Sequence, residues 1–271
     1  MSFLEYFEPL PLPALFLATL ACVAVLGAAV QLVVRLAVRV VGLDPHQPIL
    51  LRDSVVSSLS AIFALMVAFS AAGIWNDAIQ ARAAVQREAN AIENVTALTA
   101  HYPADLREEV HGAILRYGRR VIENDWPAMQ HRAGVNETLY LRGNGPIVQL
   151  IDRIAGARND SPTLAYSELL ITQLMDLRSA RLQREVIARG GVSDAQWIAL
   201  ITIAMMAMFA IAIAHNHAFV LQSAATALYV VGVSAALFVI LAHDRPFVGH
   251  SAVQALPIQQ AIDRMERSDQ H

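Results

Sequence analysis

The 271-residue chain is 56% hydrophobic and only 16% charged, and its mean hydropathy of +0.44 is above that of an ordinary soluble domain. A formal net charge of −3 gives no basic excess for binding a phosphate backbone, which argues against nucleic acid as a partner. The single cysteine, Cys22, excludes an intrachain disulfide and a cysteine-based zinc site. The composition therefore predicts a membrane protein.

Four hydrophobic runs without charged residues are long enough to cross a bilayer as helices of about 20 residues. They cover residues 12–34, 55–75, 197–214 and 218–242. We therefore predict an all-α membrane protein with four transmembrane helices and a helical cytoplasmic domain inserted between spans two and three. The expected parts are an N-terminal hairpin at 1–75, a helical domain continuing the second span at 76–196, a C-terminal hairpin at 197–242 and a tail at 243–271.

The first run is predicted to be a retained helix rather than a signal peptide. Glu5 and Glu8 precede it with no basic residue, whereas Arg35 and Arg39 follow it. A signal peptide has the opposite arrangement, because its leading segment is positively charged.

The loops between the spans set the expected topology. Residues 35–54 and 215–217 join the spans of each pair, so both termini and the stretch between the pairs share one side of the membrane. Arginines are more numerous on that side, and cytoplasmic segments carry the excess of basic residues. We predict a multi-pass inner (plasma) membrane protein whose termini and residues 76–196 are cytoplasmic. The arginines compared are Arg82, Arg87, Arg178, Arg181, Arg184, Arg189 and Arg245 against Arg35, Arg39 and Arg52.

Apolar residues at three- and four-residue spacing predict helices throughout the stretch between the span pairs. The second span should continue unbroken from Val55 to Thr99, because no proline or glycine interrupts residues 75–101. A second helix is expected from about residue 103 until Trp126-Pro127 stops it. Turns are expected at 143–146 and 157–162, with a short helix of residues 147–154 between them.

The last helix before the third span is expected at about residues 163–188. The adjacent glycines at 190 and 191 should end it, and Ser193 with Gln196 has the spacing of a capping box that starts the third span.

The sequence offers little catalytic or metal-binding chemistry. Its nine histidines show no His-Glu-x-x-His or comparable spacing, and no phosphate-binding loop or nucleophile elbow is present. We therefore expect a protein that is not an enzyme, with no cofactor and no metal site.

The second span is rich in small and hydroxylic residues, which allow close helix contacts or line a wetted path. Both interpretations stay open on the residues alone, since the fourth span has a similar character. The residues of the second span are Ser54, Ser57, Ser58, Ser60, Ala61, Ala64, Ala68, Ser70, Ala71, Ala72 and Gly73.

Residues in three places resemble the bestrophin-like family, a bacterial membrane group classed as a domain of unknown function and related to bestrophin channels. The first place is the second span and its continuation, the second is a middle motif, and the third runs from the last soluble helix to the end of the fourth span. The matching residues are Ala64–Phe69, Trp75-Asn76, Arg82 and Glu88-Ala89; Tyr117 and Glu123–Pro127; Arg178, Arg181, Trp197 and Asp244–Gly249. The resemblance covers about residues 55–265.

The resemblance implies a four-span helical protein like the bestrophins, which are pentameric ion channels whose second span lines the pore. In bestrophins apolar side chains at every fourth position of that span form a narrow neck. Here that spacing gives Ile62, Met66 and either Phe69 or Ser70 as neck candidates, with Gly73 one turn further along. The calcium-binding motif of animal bestrophins has no match, so calcium gating is not implied.

The charged residues in the resemblance have structural uses as well. Arg82, Glu88, Arg178 and Arg181 are candidates for ion pairs between helices or for a cytoplasmic vestibule that attracts anions. Residues Asp244, Arg245, Pro246 and Phe247 are expected to anchor the chain where it leaves the membrane.

Two functions follow from this pattern. The first is a homo-oligomeric ion channel, pentameric by resemblance, with the bilayer, further copies of itself and inorganic ions as partners. The second is a non-conducting membrane scaffold or signalling protein whose cytoplasmic helices bind a partner.

Overall fold

The computed structural model describes residues 11–41, 53–100, 102–130, 137–156, 164–249 and 251–268. Within these ranges the regular structure is helical and no β-strand occurs, which confirms the predicted all-α class. The helices are α1 (Leu12–Val41), α2 (Asp53–Thr99), α3 (Ala104–Arg120), α4 (Trp126–Gln130), α5 (Glu137–Gly156), α6 (Leu164–Arg189), α7 (Asp194–Ala214), α8 (Phe219–His243) and α9 (Leu256–Ser268).

The chain divides into two compact units. The first contains residues 1–75 and 191–244, and the second contains residues 76–190 and 245–271. Four helices are long and apolar enough to cross a membrane, and they include the four predicted spans.

Close packing of α1 against α8 organises the first unit. Gly27 lies where the two helices approach, and a Cβ atom there would come within 2.9 Å of Val230 Cγ2. Small residues allow membrane helices this approach. The buried stripe of α1 consists of Leu15, Thr19, Val23, Gly27, Val30, Val34 and Val38.

The predicted start of the third span is confirmed. Ser193 accepts a hydrogen bond from Gln196 N, and the Gln196 side chain reaches back to the Ser193 backbone, which completes a capping box for α7. Gly191 precedes it with φ of +150°, a backbone conformation that L side chains rarely adopt.

The second unit has a helical core of its own. It combines the continuation of α2 with α3, α5, α6 and α9, and its central residues include Val85, Ile92, Val110, Ile114, Leu170, Leu174, Ile258 and Met265. Gly118 of α3 allows α9 to approach, because a Cβ atom there would collide with the Ile262 side chain. Helix α2 runs unbroken from Asp53 to Thr99, as predicted.

Two predicted interruptions were wrong. Trp126-Pro127 does not stop the helix, because residues 121–125 form a π-helical segment and α4 continues to Gln130. The wider π turn shifts the carbonyl groups that the proline ring would otherwise meet. Residues 143–146 lie inside α5 rather than in a turn, since burial of Ile147, Leu150 and Ile154 outweighs the local preference of glycine and proline. The turn predicted at 157–162 lies outside the described residues.

Candidate pore helix and buried ion-pair network

Helix α2 is the least buried of the four membrane helices within its own chain. Only 11% of its most apolar 18-residue stretch is buried, against 28%, 44% and 33% in the other three candidate spans. A membrane helix with so little burial must face lipid, further copies of the chain or a pore.

The residues that α2 exposes differ in proportion from those of the neighbouring helices. Helices α1 and α8 expose branched aliphatic side chains such as Leu32, Val33, Leu228 and Val231, which suit lipid, together with smaller residues. In the membrane part of α2 small and hydroxylic residues outnumber the large apolar ones on the exposed surface, and such residues suit contact with another helix or with water. Those exposed residues include Ser54, Ser57, Ser58, Ala61, Ala64, Ala68, Ala72 and Gly73.

The structure separates the neck candidates into two faces of α2. Ile62 and Phe69 are 48% and 65% exposed, Met66 is half-buried between them, and Gly73 is exposed further along. Ser70 is only 3% exposed, so its side chain faces the interior of its own chain. Of the two alternatives for the third position, Phe69 shares the open face with Ile62.

A buried network of charged side chains lies at the centre of the second unit. It comprises Glu88 of α2, Tyr117 of α3, Asp125 of the π-helical segment, and Arg181, Arg184 and Glu185 of α6. Arg184 donates two hydrogen bonds to Glu88, at 2.6 Å to Oε2 and 3.0 Å to Oε1. The Tyr117 hydroxyl donates to Glu88 Oε1 as well. The carboxylate of Glu88 is therefore held by one bidentate guanidinium and one phenol.

The second half of the network joins α6 to the π-helical segment. Arg181 Nη2 lies 2.9 Å from Asp125 Oδ2, and Arg181 Nε lies 2.7 Å from Glu185 Oε1. Arg184 Nη2 is 3.8 Å from the same Asp125 oxygen. These five charged groups are almost inaccessible to solvent, and three carboxylates share two guanidinium groups.

Burial and charge shift the proton affinities of this network. Burial, with Glu88 beside it, raises the pKa of Tyr117 well above its usual value of 10.0. Burial also raises the pKa of Asp125 above 3.8, although Arg181 and Arg184 oppose the shift. Burial opposes the charged form of Arg184, but Glu88, Tyr117 and Asp125 together outweigh it and raise the pKa of that guanidinium. Arg184 thus stays charged at every physiological pH.

The residues predicted to anchor the membrane exit have distinct contacts. Asp244 Oδ1 accepts a hydrogen bond of 2.6 Å from Val192 N in the first unit, and it is buried. In the second unit Phe247 is 1% exposed and packs edge-on against Trp126, with ring centroids 5.7 Å apart. The Pro246 carbonyl accepts a 2.8 Å hydrogen bond from Val253 N.

The contacts of the backbone at Arg245 complete this turn, since its carbonyl accepts a hydrogen bond from Val248 N.

Metal ligands do not converge in the part of the chain that the structure describes, where no group of three or more His, Cys, Asp or Glu side chains could hold an ion.

Comparison with known proteins identifies the family. The profile of the Bestrophin-like domain matches residues 16–258, which is most of the chain. The chain belongs to the bestrophin-like family. The resemblance read from the sequence motifs is thereby confirmed.

Solved structures of a bacterial bestrophin homologue from Klebsiella pneumoniae show the same fold. One of them is 15% identical, with 93% of this chain and 96% of that chain covered and a TM-score of 0.60. Two single-substitution variants of that homologue are 13% and 15% identical, with TM-scores of 0.62 and 0.61 and coverages of 93% with 96% and 93% with 95%. Among curated proteins no match was found.

Only some of the charged residues shared with the bestrophin-like family meet. Glu88 and Arg181 belong to the buried network, and Glu88 is paired with α6, the helix that bears Arg178 and Arg181. The partner residue on that helix is Arg184. Arg178 is half-buried, and Arg82 is exposed.

Sequence reasoning did not place Arg184 in the site, although a signal was present. Leu170, Leu174 and Leu177 define the buried stripe of α6 at three- and four-residue spacing. Continuing that spacing leads to Arg181 and then to Arg184. Charged residues in an apolar register are candidates for a buried pair.

Asp125 and Glu185 were also outside the predicted site residues. Glu185 follows Arg181 by four residues, the spacing at which helical side chains meet. Asp125 continues the buried stripe of Ile114, Tyr117 and Val121 at three- and four-residue spacing. As for Arg181 and Arg184, a charged residue in an apolar register was the available signal.

Proposed function

We propose that the chain assembles into a homo-oligomeric, pentameric ion channel in which α2 lines the pore. The observation that carries this proposal is the open face of α2, which is the least buried membrane helix and exposes small residues. Copies that pack through this face bury it and surround an axis. The bestrophin-like fold supports the same arrangement.

Ile62, Met66 and Phe69 form the neck of this channel, and Gly73 widens the path one turn further along. An apolar constriction blocks ions by excluding water when it is narrow. The exposure of Ile62 and Phe69 supports this register, and the burial of Ser70 removes a hydroxyl from the path.

The channel lies in the inner membrane with residues 76–196, the tail at 243–271 and both termini in the cytoplasm. The excess of arginine around these segments supports this orientation. The buried network stabilises the cytoplasmic part, and the exposure of Arg82 supports a role for its guanidinium in attracting anions to a vestibule.

Asp244, Arg245, Pro246 and Phe247 hold the chain where it leaves the fourth span. The hydrogen bond from Val192 N to Asp244 and the burial of Phe247 support a structural role for this segment.

The decisive experiment measures assembly and conduction together. Native mass spectrometry of the detergent-purified protein should give five times the mass of one chain, and planar bilayers containing it should show single-channel currents. A monomer would refute the channel. A stable oligomer without current in any salt or voltage would favour the non-conducting scaffold.

Cysteine substitution tests which residues line the pore. With Cys22→Ala as the background, Ile62→Cys, Met66→Cys and Phe69→Cys should react with a charged methanethiosulfonate reagent, and the reaction should block the current. Ser70→Cys is the matched control, because its side chain faces the protein interior. Reaction and block at Ser70 alone would place another face of α2 on the pore.

A further inference from the structure

A cleft in the first unit is lined by arginines, and no described residue of its lining is acidic. It has a volume of about 270 Å³ and lies between the C-terminal part of α1 and the turn that joins α7 to α8. Its polar and aromatic lining residues are Arg35, Arg39, Asn216, His217, Phe219 and Gln222. We call it the arginine cleft. Its described lining contains two arginines and no acidic side chain.

Arg35 is held in a fixed position by uncharged neighbours. Its Nε and Nη2 atoms donate to Gln222 Oε1 at 3.3 and 3.1 Å, and its guanidinium lies 4.2 Å from the centroid of the Phe219 ring. Gln222 is itself buried and donates to the Ala212 carbonyl at 2.8 Å. Among the described residues no acidic side chain neutralises the charge of Arg35, and none accepts a hydrogen bond from its remaining N–H groups, which can therefore bind an acceptor.

Asn216 supplies an independent sign of a ligand. Both polar atoms of its side chain are buried, and neither has a hydrogen-bond partner among the described residues. A buried amide without a partner is costly, and native proteins rarely leave one unsatisfied. Both atoms are closed to solvent, so the Asn216 side chain would rotate toward the arginine cleft to donate its amide N–H to a ligand oxygen.

The first turn of α8 lies beside the same cleft, because Phe219 and Gln222 line it. Helix α8 begins at Phe219, and its N-cap residue, Ala218, provides no side-chain hydrogen bond to the first turn. The positive end of the helix dipole favours an anion near this position.

The position of the arginine cleft relative to the membrane indicates the source of the anion. It lies at one end of three membrane helices, α1, α7 and α8. Helix α1 has 30 residues. It is therefore about 45 Å long, longer than a hydrocarbon core of about 30 Å, and its end reaches the headgroup layer.

We propose that the arginine cleft binds a phosphate group, which Arg35 and Arg39 contact by charge-assisted hydrogen bonds and Asn216 by its amide. A phospholipid headgroup and free inorganic phosphate share this chemistry, and the position of the cleft favours the headgroup. The site does not depend on conduction or on assembly, because α1, α7 and α8 of one chain build it.

The test titrates the purified full-length protein in detergent with phosphatidylglycerol, with diacylglycerol of the same chains and with inorganic phosphate. Native mass spectrometry counts the bound lipid, and tryptophan fluorescence gives the melting temperature. Phosphatidylglycerol should bind and raise the melting temperature, and diacylglycerol should do neither. If inorganic phosphate raises the melting temperature as much as the lipid does, the site binds the free anion. If inorganic phosphate leaves the melting temperature unchanged, the site binds the lipid headgroup.

Three variants make the test specific. Arg39→Gln changes an exposed side chain and should weaken binding about tenfold, the effect of losing one charge-assisted hydrogen bond. Asn216→Ala should weaken binding while leaving the unliganded protein equally or more stable, because it removes an unsatisfied buried amide. Arg82→Gln, an exposed arginine of the second unit, should leave binding unchanged. Equal binding of both lipids, or equal effects of Arg39→Gln and Arg82→Gln, would overturn the proposal.

Discussion

Removal of the Arg184 guanidinium should destabilise the protein more than removal of its partner charge. Arg184→Met leaves the Glu88 carboxylate buried with the Tyr117 hydroxyl as its only donor among the described residues, and stranding a buried charge costs about 3–5 kcal/mol. Glu88→Gln costs less, about 1.5–3 kcal/mol, because Arg184 keeps Asp125 at 3.8 Å. The double variant should cost less than the sum of the two, by about 1–3 kcal/mol.

Urea unfolding of the full-length protein in a mild detergent measures these differences at one fixed protein concentration. Trp75→Phe and Trp197→Phe leave Trp126 as the only tryptophan, and its ring lies 5.4 Å from the Arg184 guanidinium. Arg82→Met is the matched control on an exposed site, where the expected change is within about 0.5 kcal/mol. The reasoning would be refuted if the free-energy changes of the two single variants simply added in the double variant. It would also be refuted if Arg184→Met changed the free energy of unfolding no more than the control does.

Four further outcomes are expected. A reporter fused after His271 should lie in the cytoplasm and be active there. If reagents added outside intact cells label the reporter, the predicted topology is wrong. Met66→Ala should widen the neck and raise conductance or open probability in bilayer recordings, with the oligomer intact; unchanged currents would place the constriction elsewhere. Since burial raises the pKa of Asp125, the folded state holds its proton more tightly than the unfolded chain. Stability should therefore fall as pH rises from 3.8 through the raised pKa, and the urea midpoint of Asp125→Asn should lack this decline. Gly27→Leu should cost about 1–3 kcal/mol through overpacking against Val230, whereas Gly232→Leu, where no atom lies within 4 Å of the added Cβ, should be tolerated in the same assay.

The periodicity of apolar residues was enough to predict the helices but not every break between them. The run from Val55 to Thr99 has no local signal that opposes a helix, and the structure keeps it helical. Gly143 to Pro146 has strong local turn signals, yet the apolar face that follows at Ile147 binds the segment into a helix. Local signals of about 1–3 kcal/mol lose where tertiary packing contributes more.

The open face of α2 illustrates a second limit of the sequence. Phe69 and Ser70 differ by one position, which is a rotation of about 100° around a helix with 3.6 residues per turn. The choice between them depends on which side of α2 is covered by the rest of the chain, and that is a tertiary property. The structure covers Ser70 and leaves Phe69 open.

The discontinuous second unit has a consequence for biogenesis. Its two segments, residues 76–190 and 245–271, are separated in the chain by residues 191–244, which contain two membrane helices. At about 5–20 residues per second, a ribosome needs roughly 3 to 11 s to translate that intervening stretch. During this interval α3 lacks the residues that α9 supplies to its core, among them Ile258, Ile262 and Met265. The nascent chain therefore exposes an apolar surface beside Gly118 until α9 emerges, and a chaperone that shields this surface would act after membrane insertion of α1 and α2 and before α9 packs.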